Sequence, residues 1–135
     1  MNWKLVFLLS LFGLAMGLAT VFWIPQQIEP LFWLAIFLIC AWIIARSTTP
    51  PVLTGVFLGI ANSIWVTACH LLLFNAYVAN HAQEAAMMRS MPGGISPTVL
   101  MSVTGPIVGL ISGLIIGIFA FVAAKFVKKP APAAS

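Results

Sequence analysis

Four long apolar stretches run through the chain, and nearly all of its prolines and charged residues fall between them or at their edges. Pro25, Pro30, Pro50, Pro51, Pro92, Pro97 and Pro130 bound the runs, as expected of a residue tolerated at a helix start or just past its end. The stretches are about residues 3–24, 29–46, 51–78 and 97–127, each near or above the length of about 20 residues needed to cross a bilayer as a helix. The pattern predicts an all-α integral membrane protein: a four-transmembrane-helix bundle forming one domain over 1–129, with an outer loop at about 79–96 and a flexible tail at 130–135. Pro106 alone lies inside a span, where it removes the bond to the Ser102 carbonyl and predicts a kink in the fourth helix.

Composition agrees with the pattern. Hydrophobic residues make up 62% of the 135 residues and charged ones 6%, against about 45–50% and about 25% in a soluble domain. The few charges set the orientation. Lys4, Arg46, Lys125, Lys128 and Lys129 precede the first span, separate the second from the third, or close the fourth, leaving only Arg89 of the 6 basic residues in the opposite loops. The positive-inside rule then puts both termini in the cytoplasm of a multi-pass protein of the cell (inner) membrane. The run from Leu5 to Ala19 imitates a signal peptide, but it continues apolar to Ile24 and reads as a retained first span. Because the bases sit at membrane edges, the net charge of +4 points to the lipid bilayer and not to nucleic acid.

Small residues recur every four positions within the spans. The fourth carries Gly105, Gly109, Gly113 and Gly117, the third Gly55, Gly59, Ser63 and Thr67, and the first Gly13 and Gly17; the second has only Ala41 and Ala45. In water each interior glycine costs about 1 kcal/mol against alanine. In lipid, a column without side chains lets another helix approach to backbone contact. Glycine-mediated close packing is therefore expected, through a homo-oligomer or with other membrane subunits as well as within the bundle.

The third span concentrates the chemistry. At 100° per residue Asn62, Ser63, Cys69, His70 and Tyr77 fall with Gly55 and Gly59 inside an arc of about 120°. Phe57, Ile64, Trp65, Leu71 and Leu72 occupy the other side, so Trp65 and Leu72 are expected to face lipid. Asn62, Ser63 and Thr67 suit hydrogen bonds between helices, and Cys69 suits a small apolar filler. Cys40 and Cys69 are expected at different depths, which excludes a disulfide. His70 needs a partner at membrane depth; it suits an inter-helix hydrogen bond, a protonation or permeation site, or axial ligation of haem or a chlorin. Beyond Tyr77, the residues Asn80, His81, Glu84, Met88 and Met91 keep to one helical face, so the segment either prolongs the third helix or breaks near 75–80 and lies along the membrane. His81, Glu84, Met88 and Met91 are the candidate metal ligands, their imidazole and thioethers being the soft donors that suit Cu(I), although a Met-rich face serves equally for lipid or a partner.

No Ser/His/acid set, paired catalytic carboxylate or phosphate-cradling loop is present in the sequence, and the expected protein is not an enzyme and has no cofactor. The membrane-embedded carboxylate of small multidrug exporters is also missing, since Glu29 and Glu84 lie at a span end and outside the spans. Packing features outnumber chemical ones, which makes a non-catalytic accessory or assembly component of a membrane complex the first expectation. The alternative is an oligomeric channel or transporter for a small solute or ion along the polar face of the third helix; haem, chlorin or soft-metal binding ranks third. A cavity at His70 would favour transport, and a filled bundle with an exposed small-residue face would favour assembly.

Overall fold

The computed structural model describes residues 1–90 and 93–128. Its helices are α1 (Trp3–Phe22), α2 (Glu29–Arg46), α3 (Pro51–Leu72), α4 (Phe74–Asn80), α5 (Ala82–Arg89) and α6 (Pro97–Ala123). Among the described residues, α1, α2, α3 and α6 are long and apolar enough to cross a membrane. The chain is thus all-helical, with four helices that fit a membrane bundle. Large apolar side chains such as Phe7, Leu38, Val103 and Ile118 stay exposed on its outside, which is stable only where lipid replaces water.

Local chemistry sets the helix ends. The Asn2 side chain accepts from the Leu5 N–H at 3.0 Å and caps α1, satisfying one of the free donors of the first turn. α2, α3 and α6 each begin with a proline in the first two positions, where its missing N–H is not needed. Glu29 in the first turn of α2 and Arg46 in its last both complement the helix dipole. α6 runs through Pro106 as one helix.

α3 is the central element, with α1 along one side and α6 along the other; α2 leans mainly on α6 and barely meets α1 or α3. Trp3 packs edge-on against Phe57 with ring centroids 4.9 Å apart, and Thr20 reaches His70, so α1 and α3 run parallel. α6 runs antiparallel to α3, since Gly105 lies against Thr67 while Gly117 lies against Val52. Along this contact Gly55, Gly59, Gly109, Gly113 and Gly117 are buried. A β-carbon at Gly113 would come within 2.8 Å of the Gly55 carbonyl and the Val56 backbone, well inside ordinary van der Waals contact. On the α1 side, a β-carbon at Gly13 would meet Asn62 Oδ1 at 2.6 Å, and one at Gly17 would meet Cys69 Sγ at 3.0 Å.

The apolar core joins Leu9 and Met16 of α1, Ile36, Cys40, Ala41 and Ile44 of α2, Leu58 of α3, and Ile116 and Ala120 of α6. Most of these lie toward the end of the bundle that carries Lys4 and Arg46. There the four long helices converge. At the other end α2 parts from α3, leaving a space between it and the α3–α6 pair.

Two expectations need correction. The third span does not run as one helix to residue 78: α3 ends at Leu72, Leu73 leaves helical geometry (φ −110°, ψ 32°), and His81 (φ −130°, ψ 65°) separates α4 from α5. Neither break carries glycine or proline. They are held by tertiary contacts, because Asn80 Nδ2 donates to the Val21 carbonyl of α1 at 2.9 Å and Tyr77 turns back onto His70. Trp65, expected on the lipid face, instead turns its indole to α1 and donates to Ser10 Oγ at 3.1 Å, which satisfies both polar groups at membrane depth. Leu72 is exposed at 84%.

Candidate functional site

The space beside α2 is a cleft of about 920 Å³, within the range of about 300–1,000 Å³ usual for small-molecule sites. α3 supplies Asn62, Ser63, Val66, Thr67 and His70, which its turn of 3.6 residues brings to one side. α2 supplies Glu29, Trp33 and Phe37 at four-residue spacing; α6 supplies Met101, Thr104, Val108 and Ser112 among others; Tyr77, Glu84, Met87 and Met88 line it from α4 and α5. Most of the lining is apolar, with polar groups on the α3 and α6 walls and at the end nearest Glu29.

A stack of three rings stands at that end, and two of them, His70 and Tyr77, line the cleft. His70 and Tyr77 lie with centroids 4.3 Å apart and planes 29° from parallel, and Tyr77 and His81 lie 4.3 Å apart at 20°. Each ring is also hydrogen-bonded. His70 Nε2 lies 3.0 Å from Thr20 Oγ1. That hydroxyl also lies 3.2 Å from the Gly17 carbonyl, and when its single proton is spent there, Nε2 is the donor. His81 Nδ1 lies 2.9 Å from the Tyr77 carbonyl; a carbonyl only accepts, so Nδ1 carries the proton and Nε2 presents its lone pair. His81 is 6% exposed and its Nε2 has no partner among the described residues. Burial pushes its proton affinity below the ordinary histidine value, against an opposing pull from the Glu29 charge, so His81 is neutral near pH 7.

The Tyr77 hydroxyl donates to Glu84 Oε2, and Trp33 Nε1 donates to Glu29 Oε1 at 3.1 Å. Both acids of the chain therefore stand on the rim of one cleft, brought from two different elements. Burial, and secondarily the nearby Glu29 charge, hold the Glu84 carboxyl above the usual carboxylate range. At the far end lies Asn62, 4% exposed, with neither amide atom partnered among the described residues. An unpaired buried amide is a costly arrangement, and this one turns its Oδ1 toward Gly13 of α1 and away from the cleft.

The remaining residues singled out in the sequence are placed as follows. Ser63 Oγ donates to the Ile60 carbonyl of its own helix at 2.8 Å. Cys69 is buried against Gly17 on the α1 side and does not line the cleft. Cys40 is in the core, and both cysteines are free. Of the candidate metal ligands, Glu84 and Met88 border the cleft, His81 is held by Tyr77, and Met91 lies outside the described residues, as do Lys129 and the 130–135 tail. Among the described residues no three His, Cys, Asp or Glu side chains gather as metal ligands. The α2 wall went unnoticed in the sequence, although Glu29, Trp33 and Phe37 recur at helical spacing and could have been found by that signal.

Comparison with protein-family models, with curated proteins and with solved structures returns no match.

Proposed function

We propose that the protein is a membrane carrier that takes a small molecule into the cleft between α2 and the α3–α6 pair, with both termini cytoplasmic and the cleft opening outward. The observation that carries this reading is the cleft itself: about 920 Å³ of space beside His70, closed toward the Lys4 end by the apolar core. A cleft with one closed end is a binding site and not a continuous pore, so movement of cargo requires the helices to change their arrangement. The division of contacts supports this. In this reading the glycine columns of α3 and α6 lock those two helices into one unit, while α2, with little hold on α1 or α3, swings. Because those columns face each other within one chain, they are not free to bind an assembly partner, which is why carriage is preferred to an accessory role.

Distances between spin labels test the reading on the full-length protein in lipid nanodiscs. Leu31 on α2, Val99 on α6 and Leu72 on α3 are all exposed and accept labels. The pair at 31 and 99 should show two distance populations whose balance shifts with conditions, and the pair at 72 and 99 should show one. A single narrow distance for both pairs would overturn the carrier reading.

A further inference from the structure

The geometry points to a cargo class: an organic cation with an apolar body, its charge held between Glu29 and Glu84 and its body lying along the α3 wall. This rests on the reading of the cleft as a cargo site.

Two independent features converge on that chemistry. The first is charge. Both acids of the chain stand on this rim, and among the described residues neither is paired with a base; their recorded partners are the neutral donors Tyr77 and Trp33. Lys4, Arg46, Lys125 and Lys128 belong to the opposite end, and Arg89 borders a separate small pocket with Phe74 and Pro97. The second is the wall material. Trp33, Phe37, Phe119 and the Met87, Met88 and Met101 side chains offer aromatic faces and polarizable sulfur, which attract a weakly hydrated organic cation. A small inorganic cation is a poor fit, because apolar walls do not replace its hydration shell and two carboxylates fall short of the six or more oxygens that calcium takes.

Three aryl probes of similar size but different charge test this on the purified full-length protein in non-ionic detergent, by equilibrium dialysis: tetraphenylphosphonium, tetraphenylborate and neutral triphenylphosphine oxide. The phosphonium should bind at least about tenfold more tightly than either of the others. The double variant Glu29→Gln with Glu84→Gln should weaken phosphonium binding at least about tenfold while leaving the neutral probe unchanged. If all three bind alike, or the double variant still binds the phosphonium as well as the wild type, the cleft holds cargo without reading its charge and the cation proposal falls, with the carrier reading intact. If a co-purifying phospholipid fills the cleft and none of the probes displaces it, lipid is the occupant and the cation proposal is wrong. If none of the three binds and the spin-label distances are also single and narrow, both readings fail together. The comparison of probes on wild-type protein stands even if the double variant does not fold.

Discussion

Tyr77 and Glu84 meet across the helix break at His81, the phenol of α4 donating to the carboxylate of α5. This one bond ties the ring stack on His70 to the acidic rim of the cleft. A hydrogen bond to a carboxylate favours its ionised form, so it opposes the burial and the Glu29 charge that raise the Glu84 proton affinity.

The pH dependence of cargo binding follows from that balance. Glu84 loses its charge as pH falls through a range lying above its ordinary value of 4.5, so phosphonium binding should weaken on acidification earlier than an exposed glutamate would allow. Glu29 and His70 are the other titratable groups lining the cleft, with neutral His81 behind Tyr77. Replacing Tyr77 with phenylalanine removes the bond that favours the carboxylate and should move the midpoint to still higher pH. Dialysis of phosphonium against wild type and Tyr77→Phe between pH 4 and 8 checks this; a midpoint that stays put or moves lower contradicts it.

Asn62 gives a prediction with an unusual sign. A buried amide without a partner contributes desolvation cost and no hydrogen bond, so Asn62→Leu, which keeps the same branched arrangement of side-chain heavy atoms, should leave stability unchanged or raise it by up to about 1–3 kcal/mol, read as an unchanged or higher melting temperature. A fall in melting temperature would show that Asn62 is a structural tie.

The α3–α6 contact should discriminate between its glycines. At Gly113 a new β-carbon would press on backbone atoms of Gly55 and Val56, which cannot turn aside, and Gly113→Ala should destabilise by about 1–3 kcal/mol. At Gly105 the obstruction is the Thr67 hydroxyl, a side chain that can be trimmed. Gly105→Ala combined with Thr67→Ala should therefore melt near the wild type, whereas no single trim rescues Gly113→Ala. Thermal melts in detergent for these variants decide the matter, and equal losses at both glycines would contradict the assignment of the contacts.

Much of this architecture was legible in the sequence. Four apolar stretches bounded by proline give four long helices because bilayer thickness fixes span length and proline fixes helix starts. A break near 75–80 was one of two readings the sequence left open, but its place at Leu73 was not legible, since no local residue demands it; it depends on Tyr77 finding His70 and on Asn80 finding the carbonyl of Val21. The rim was missed for a related reason. Glu29 and Glu84 are 55 positions apart, and only the placement of α2 beside α6, away from α3, brings them to one opening. Trp65 looked like a lipid-facing residue because a helical wheel records direction and not neighbours, and Ser10 on α1 supplied the acceptor that drew the indole inward.

The central claim, an outward-opening cleft closed on the cytoplasmic side, is tested most directly by thiol accessibility. In intact cells producing the full chain with Cys40 and Cys69 replaced, single cysteines at Ser63 on the cleft wall, at Leu58 in the core and at exposed Gln83 beyond the rim are treated from outside with a membrane-impermeant reagent. Labelling at 83 and 63 but not at 58 is the predicted result; labelling at 83 alone, with 63 as unreactive as 58, would contradict the account.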